Sequence, residues 1–509
     1  MGAGHSVLGI RSEGKREAQV NLKGTGVLVV GLARQGMAMA RFLVGEGAQV
    51  TVTDVQPAEA LAEPLATLAG LPIHYALGGH PLSRLDNTDL VCLSGGAPTT
   101  IPLVAEARRR GIPLSNDALL TLERSAATVM GITGSGGKTT TTTLVGLILK
   151  AAGIPAHVGG NIGTPLIDCL DELQPGHWAV MELSSFQLEL FDRSPQVAAM
   201  TNLTPDHLDR HGTMAAYSAA KANILRWQTP DNVCVLNADD KLTSRWLASG
   251  RVDIAAEEDQ PATNFPLAAR RLGFSLREEM DAGAFLHGRG EVLVLRLPGQ
   301  PETVICRREA VRLRGMHNVA NLLAACVLAG VAGAPPEAMA EVAASFEGVT
   351  HRLEPVQTLN GVLWVNDSIA TSPARAAAAI QSFNEPIVLL AGGRDKKLDW
   401  DNFAELVHER VEHVVLFGEA AELIERAIRR SEFAIRGASG PLGTAKHVAR
   451  THRCADLEEA VGVAHRVAEP GDVVLLAPGG TSFDAYKDYP ARGEHFRTLV
   501  QALESEQKR

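Results

Sequence analysis

Thr128-Val129-Met130-Gly131-Ile132-Thr133-Gly134-Ser135-Gly136-Gly137-Lys138-Thr139-Thr140 decides the fold at the centre of this chain. An apolar run ends in a glycine turn, and the turn opens onto a lysine and five consecutive threonines, Thr139 to Thr143. This order predicts a strand, a tight loop and a helix that begins at Lys138, the context a phosphate-binding loop requires. Glycines let successive backbone N–H groups turn inward around an anion, and the helix N-terminus adds partial positive charge. Gly134 and Gly137 shape the loop, Lys138 is placed to reach β- and γ-phosphates, and the Thr139 hydroxyl is placed to hold Mg²⁺, with Thr140 beside it. The literal G-x-x-x-x-G-K-[ST] spacing misses by one residue, because Ile132 stands where the first glycine belongs. A turn that merely capped a buried helix would have little use for the lysine.

Outward from this loop the same rhythm recurs. Val27 to Val30 is followed by Gly31-Leu32-Ala33-Arg34-Gln35-Gly36 and a helical stretch to Gly45, and a second strand, Val50–Thr53, ends at Asp54. Further strands are predicted at Trp178–Met181, Val197–Thr201 and Val233–Leu236, then near Val362–Val365, Ile387–Leu390, Val414–Phe417 and Val473–Leu476. Continuous apolar strands alternating with helices predict an α/β protein with parallel sheets covered on both faces. The 509 residues suggest about three domains. The polar, arginine-rich stretch from about Ala255 to Arg312 breaks the rhythm and reads as a β-rich insertion.

Composition narrows the function. Acidic residues outnumber basic ones, 58 to 48, for a net charge of −10, which argues against a general nucleic-acid binder. Aromatics at 4% leave little for stacking on single strands. The six cysteines are scattered, without a C-x-x-C pair, as in a reducing cytoplasm. No apolar run reaches the roughly 18 residues that cross a bilayer, and the N-terminal stretch lacks a signal-peptide core. Met1-Gly2 with Ser6 matches a myristoylation pattern and is read as coincidence. The expected protein is cytoplasmic, without membrane or nucleic-acid partners.

A nucleotide loop needs acidic partners at neighbouring strand ends. Glu182 ends one strand, in Met-Glu-Leu-Ser-Ser, and Asn202 ends the next, ahead of Asp206-His207-Leu-Asp-Arg-His211. His207 and His211 are four apart and would share a helix face, which suggests zinc, but no cysteine is near and a Mg²⁺–nucleotide site accounts for the cluster. Spacing alone gives Lys221 no role beyond a solvated side chain. The first glycine turn with Asp54 taken alone would suggest NAD.

Together these residues resemble the Mur ligase family. The matching set is Gly131-x-Thr-Gly-x-x-Gly-Lys-Thr, Gly159-Gly-Asn-Ile-Gly, Glu182-Leu-Ser-Ser-Phe-Gln, Asn202-Leu-x-x-Asp-His-Leu-Asp, Gly315-x-His-Asn-x-x-Asn, His351-Arg352 and Asn366-Asp367-Ser368. It covers about Val27 to Phe496. The resemblance implies three domains after an N-terminal extension (1–24): a Rossmann-like UDP-binding domain (25–116), a central P-loop mononucleotide-binding domain for ATP (117–348) and a C-terminal Rossmann-like domain for the incoming amino acid (349–509). The ending Leu476-Ala-Pro-Gly-Gly-Thr-Ser-Phe-Asp-Ala-Tyr-Lys-Asp-Tyr, with Arg492-Gly493, resembles the branch that adds D-glutamate to UDP-N-acetylmuramoyl-L-alanine. That implies ATP-dependent amide formation through an acyl phosphate by a monomer using two Mg²⁺ ions.

Carried over residue by residue, the resemblance gives Thr139 and Glu182 to one Mg²⁺ and His207 with an N-carbamylated Lys221 to the other. Lys138, His207 and Lys221 carry the catalysis. Asn318, Asn321, Arg352 and Asp367 hold the nucleotide. Gly96 and Asn161 hold the muramoyl substrate, and Thr371, Lys396, Ser482 and Tyr489 hold D-glutamate, with Lys397 as the alternative to Lys396. The chain departs from the family pattern at Gly136, where an asparagine is usual and whose loss is expected to loosen the loop. It departs again at Ser94-Gly95-Gly96, at Ile369 in place of a lysine, at Arg34 and Gln35 in the uridine loop, and at Val55-Gln56. Rival readings are a sister Mur enzyme or folylpolyglutamate synthase, an NAD-dependent dehydrogenase, and a nucleotide-binding scaffold. The central loop opposes the dehydrogenase, and Glu182, His207 and Lys221 together oppose the scaffold.

Overall fold

The computed structural model describes residues 21–257, 260–396, 398–438 and 449–507. Three large sheets carry the chain, beside a two-stranded antiparallel sheet of Arg251–Ile254 and Thr263–Pro266. The first has five parallel strands in the order Ile73–Leu77, Gln49–Asp54, Gly26–Val30, Leu90–Leu93, Leu114–Ser115. The second has nine, in the order Thr303–Arg307, Val292–Arg296, Gly283–His287, Arg270–Ser275, Val233–Asn237, Val197–Met200, Thr128–Thr133, Trp178–Glu182, Ala156–Gly160. The third has six, in the order Glu354–Leu359, Val362–Asn366, Val473–Gly479, Ile387–Gly392, Val411–Phe417, Arg450–Arg453.

The central strands are buried along nearly their whole length because helices cover both faces. Val129, Ile132, Ala198, Met200, Val180 and Leu236 are all in the core. This is the pattern that continuous Val/Ile/Leu runs foretell. Strand Thr128–Thr133 lies between Trp178–Glu182 and Val197–Met200, parallel to both. The loop after it and the residues that end its two neighbours therefore meet at one carboxyl edge, where ligands of α/β sheets bind.

The stretch from 255 to 312 is β-rich as expected, but most of its strands extend the second sheet and do not form an insertion apart from it. Arg270–Ser275 pairs in parallel with Val233–Asn237, and Gly283–His287 pairs in parallel with Arg270–Ser275. Val292–Arg296 and Thr303–Arg307 then close the edge as antiparallel strands. The arginines that suggested a separate element stand at strand ends, as Arg270, Arg271, Arg296 and Arg307 do, while the strand interiors bury Leu272, Phe274, Phe285 and Leu293.

The described chain gathers into two compact units. The first runs through Val311 and takes in His317–Ser345; the second holds Arg312–Met316 and everything from Phe346 on. The first two sheets share the first unit, and the six-stranded sheet forms the second.

Candidate active site

Helix Lys138–Ala151 starts directly at the glycine loop, as its sequence requires. Gly137 holds φ +82°, and a Cβ there would stand 2.2 Å from the Asn321 side-chain oxygen; a Cβ on Gly134 would stand 1.9 Å from Thr201 Oγ1. Only glycine fits this cradle. Lys138 Nζ curls back to donate to the carbonyls of Gly134 (2.9 Å) and Ser135 (3.0 Å). Gly136, where an asparagine is usual, is held from the neighbouring strand end: its N–H donates to Asn202 Oδ1 (2.8 Å) and its carbonyl accepts from Thr201 Oγ1 (2.5 Å). Ser135 is fixed by Tyr217, whose hydroxyl donates to Ser135 Oγ at 3.0 Å. Thr140 is buried.

Glu182 is 2% exposed at its strand end. Its Oε2 accepts from the Thr139 hydroxyl (2.8 Å) and its Oε1 accepts from Asn161 Nδ2 (2.9 Å). The Asn161 backbone N–H also donates to the Glu182 carbonyl at 2.9 Å. One carboxylate thus joins the first turn of the phosphate-loop helix to the Gly159–Gly163 loop. A hydroxyl and a carboxylate in contact are hard oxygen donors that suit Mg²⁺, and they stand at the N-terminus of the helix that follows a loop only glycine can form at Gly134 and Gly137, so the residues fit a magnesium nucleotide.

Lys221, on helix Met214–Arg226, is 1% exposed rather than solvated. Its Nζ lies 3.3 Å from Thr133 Oγ1 and 4.9 Å from the Tyr217 ring centre. An ammonium has three donors and no lone pair for a metal; conversion to a carbamate would supply the missing oxygen donors. His207 and His211 do not share a helix face. His207 stands before a four-residue helix, Leu208–His211, with φ +53°. His211 is fixed elsewhere, by Ser185 Oγ (2.9 Å) and Glu189 (3.1 Å), and stacks on Phe186. His207 meets the edge of the same Phe186 ring and the Asp206 carboxylate at 3.7 Å. A run of rings, His207, Phe186, His211 and Tyr217, leads to Lys221. Among the described residues no group of three or more His, Cys, Asp or Glu gathers.

Asn318 and Asn321 are buried on helix Met316–Val331, one turn apart, with Asn321 Nδ2 donating to Asn318 Oδ1 (3.1 Å). The close approach of Asn321 to Gly137 brings this pair to the cradle. Gly96 sits in the turn after strand Leu90–Leu93, where the Ala97 N–H donates to the Ser94 carbonyl at 2.8 Å. In the first glycine turn Asp54 accepts from the N–H groups of Leu32 (2.7 Å) and Gln56 (2.8 Å), so here the carboxylate braces its own turn.

In the second unit the predicted residues crowd the carboxyl edge of Val362–Asn366, Val473–Gly479 and Ile387–Gly392. Asp367 is buried, and burial pushes its carboxyl up to about 6 against the pull of the Arg352 charge. The Leu353 N–H donates to Asp367 Oδ1 at 3.0 Å. Lys396 Nζ reaches Thr371 Oγ1 at 3.5 Å; Lys397 lies outside the described residues. Arg394 and Thr481 exchange two backbone hydrogen bonds of 2.8 Å, which holds the Lys396 loop beside Ser482. Tyr489 accepts from Ser368 Oγ at its carbonyl (2.8 Å), and its ring meets His351 edge-on.

Sequence reasoning missed what organises this edge. Arg492 is fully buried and donates to Ser368 Oγ, to the Ser368 carbonyl and to the carbonyls of Gly480 and Thr481. Burial pulls its guanidinium down to about 10. It ties the Asp367 turn to the Ser482 turn from 124 residues away, and the only sequence signal was its place in the closing motif.

Residues 25–116 match the model of the Mur ligase MurD-like N-terminal domain, 132–329 the Mur ligase middle domain, and 351–480 the Mur ligase glutamate ligase domain. The UDP-N-acetylmuramoylalanine–D-glutamate ligase of Symbiobacterium thermophilum is 43% identical over 93% of this chain and 97% of that protein. The protein of the same name from Pelotomaculum thermopropionicum is 39% identical over 94% of this chain and 97% of that protein. Among solved structures, UDP-N-acetylmuramate–alanine ligase from Thermotoga maritima aligns with a TM-score of 0.55 at 20% identity, covering 94% of this chain and 99% of that one.

Proposed function

The chain belongs to the Mur ligase family, and on that premise we propose that it joins D-glutamate to UDP-N-acetylmuramoyl-L-alanine in peptidoglycan precursor synthesis, driven by ATP. A carboxylate is a poor electrophile, so the L-alanyl carboxylate takes the γ-phosphoryl group and becomes an acyl phosphate. The D-glutamate amine then attacks the acyl carbon, the tetrahedral intermediate loses phosphate, and an amide, ADP and phosphate result. Lys138 neutralises charge on the transferring phosphoryl group. Thr139 and Glu182 would hold one Mg²⁺, and His207 with a carbamylated Lys221 a second; bound there, the ions would add positive charge beside the phosphoryl group. Gly134, Gly137 and Thr140 shape the cradle, and Asn318, Asn321, Arg352 and Asp367 hold the nucleotide. Gly96 and Asn161 hold the muramoyl substrate. Thr371, Lys396, Ser482 and Tyr489 hold D-glutamate. The enzyme acts in the cytoplasm as a monomer, a state that light scattering checks.

The observation that carries this reading is Glu182, whose two oxygens accept from Thr139 and from Asn161. That puts the nucleotide loop and the loop given to the acceptor substrate on one carboxylate, as direct transfer from ATP to that substrate requires. The test is phosphate release with UDP-N-acetylmuramoyl-L-alanine, ATP and each of D-glutamate, L-glutamate and meso-diaminopimelate. Release coupled to D-glutamate alone supports the proposal. Equal use of both enantiomers, or use of another amino acid, rejects it.

A further inference from the structure

Arg34 is the first residue of helix Arg34–Gly45, where a cation opposes the helix dipole and no side chain caps the helix. Its charge therefore needs a reason to be there. Its guanidinium leaves its own element and reaches the loop of the second sheet. Nη1 donates to the Gly163 carbonyl at 2.6 Å and Nη2 to the Asn161 carbonyl at 2.9 Å. The two sites are 127 and 129 residues away in sequence. The adjacent Gln35 makes a matching reach in another direction, its Oε1 accepting from the Gly95 N–H at 2.9 Å. The two side chains that depart from the family's uridine loop thus fasten the two neighbouring loops.

The Asn161 loop needs a fastener. Strand Ala156–Gly160 ends at Gly160, and the turn that follows, Asn161-Ile162-Gly163, has no ladder partner and carries a glycine with φ +55°, so its backbone has freedom to lose. At its near end it is tied to Glu182. Across its far end the closing bond is the Gly160 N–H to the Thr164 carbonyl at 3.3 Å. The Arg34 fork spans carbonyls at both sides of Ile162 and uses two of its five donors, a geometry lysine does not have.

We propose that Arg34 is a positioning residue for the acceptor substrate: its fork holds the Asn161–Gly163 backbone so that the Asn161 amide stays on Glu182. The proposal rests on the acceptor-substrate reading of Asn161, and its test separates the two. In the substrate-free enzyme, Arg34→Ala should speed hydrogen exchange in a peptide spanning 159–166 by about tenfold, the worth of one net hydrogen bond. A peptide spanning 134–142 should be unchanged, and Arg34→Lys should lie between. In turnover, Arg34→Ala should lower kcat/KM for UDP-N-acetylmuramoyl-L-alanine by about tenfold, by the same one-bond measure, and leave KM for ATP within about twofold. Arg34→Ala with Asn161→Ala should be no slower than Asn161→Ala alone, since Arg34 acts through Asn161. Unchanged exchange at 159–166, or fully additive kinetic losses, overturns the proposal; additive losses would mean that the guanidinium touches the substrate itself. If no D-glutamate ligation occurs in the parent enzyme, the function reading fails, and the exchange result still decides whether Arg34 fastens the loop.

Discussion

The first unit contains the strand–glycine turn–helix motif twice, and the two copies are used in opposite ways. In the turn after Gly26–Val30, Asp54 takes up the Leu32 N–H, and Arg34 and Gln35 spend their polar groups on neighbouring loops. In the turn after Thr128–Thr133, the polar side chains come from outside. Thr201, Asn202 and Tyr217 hold the loop, while Lys138 lies over its carbonyls and Thr139 rests on Glu182. The local motif determines where an anion can approach. What surrounds it determines whether the turn positions a ligand or performs chemistry on it.

The sharpest way to break that contrast is at the second turn. Lys138→Ala should lower phosphate release by about 10³-fold, the scale of removing one pre-placed electrostatic group. The melting temperature should hold within a few degrees, because the lysine's partners are loop carbonyls. Near-normal release from a folded variant would refute the cradle's catalytic role.

Lys221 comes next. Lys221→Ala should lose about 10²-fold in turnover, as expected when support to a metal position is removed. Short carboxylic acids should restore part of it, and Lys221→Arg should not help. In wild-type protein, ¹³C-bicarbonate should produce a carbamate resonance that Lys221→Ala lacks. A variant with wild-type turnover at limiting Mg²⁺ would make Lys221 a packing residue only.

At the first turn the effect should be smaller and confined to one substrate. Asp54→Ala removes acceptors for two N–H groups, so KM for UDP-N-acetylmuramoyl-L-alanine should rise about tenfold, the equivalent of about 1.4 kcal/mol. KM for ATP should not move; equal rises in both would erase the distinction between the turns.

The smallest effect concerns stability. Asp117 is buried, accepts from Gln187 Nε2 at 3.0 Å, and is pushed by burial up to about 6. Its folded pKa lies above the unfolded one, so its contribution is full below about pH 4 and is lost as pH rises through about 6. Asp117→Asn keeps an acceptor for Gln187 and should flatten the melting temperature between pH 4 and 6. A wild-type melting temperature insensitive to Asp117→Asn across that window would contradict the buried-carboxyl account.

Much of this was readable from the chain because it is local. The strand, glycine turn and Lys138-Thr139 are contiguous, and Glu182 announces itself by ending an apolar strand. Family resemblance, not spacing, picked out Lys221, because nothing local says that helix Met214–Arg226 buries it. What Arg34 and Arg492 hold was not legible, because Arg34 finds its partners more than 120 residues away and Arg492 joins nearby Gly480 and Thr481 to Ser368, 124 residues away. Contacts of that span are set by which strands pair. The β content of the stretch from 255 to 312 was legible, but its place in the second sheet was not, since its parallel pairing with Val233–Asn237 leaves no mark in its own sequence. His211 was misjudged because spacing of four residues implies a shared face only where the helix is real, and here it begins after His207.

Glu182 joins Thr139 of the glycine loop to Asn161, and in the proposed function this links the nucleotide cradle to the acceptor substrate. The most direct measurement of this link is positional isotope exchange in ATP labelled at the β–γ bridge, with UDP-N-acetylmuramoyl-L-alanine present and D-glutamate absent, in wild type and Glu182→Gln. Scrambling is expected in wild type only when the muramoyl substrate is present, and is expected to be lost in Glu182→Gln. Scrambling that is independent of the muramoyl substrate, or that persists at the wild-type rate in Glu182→Gln, would contradict the link.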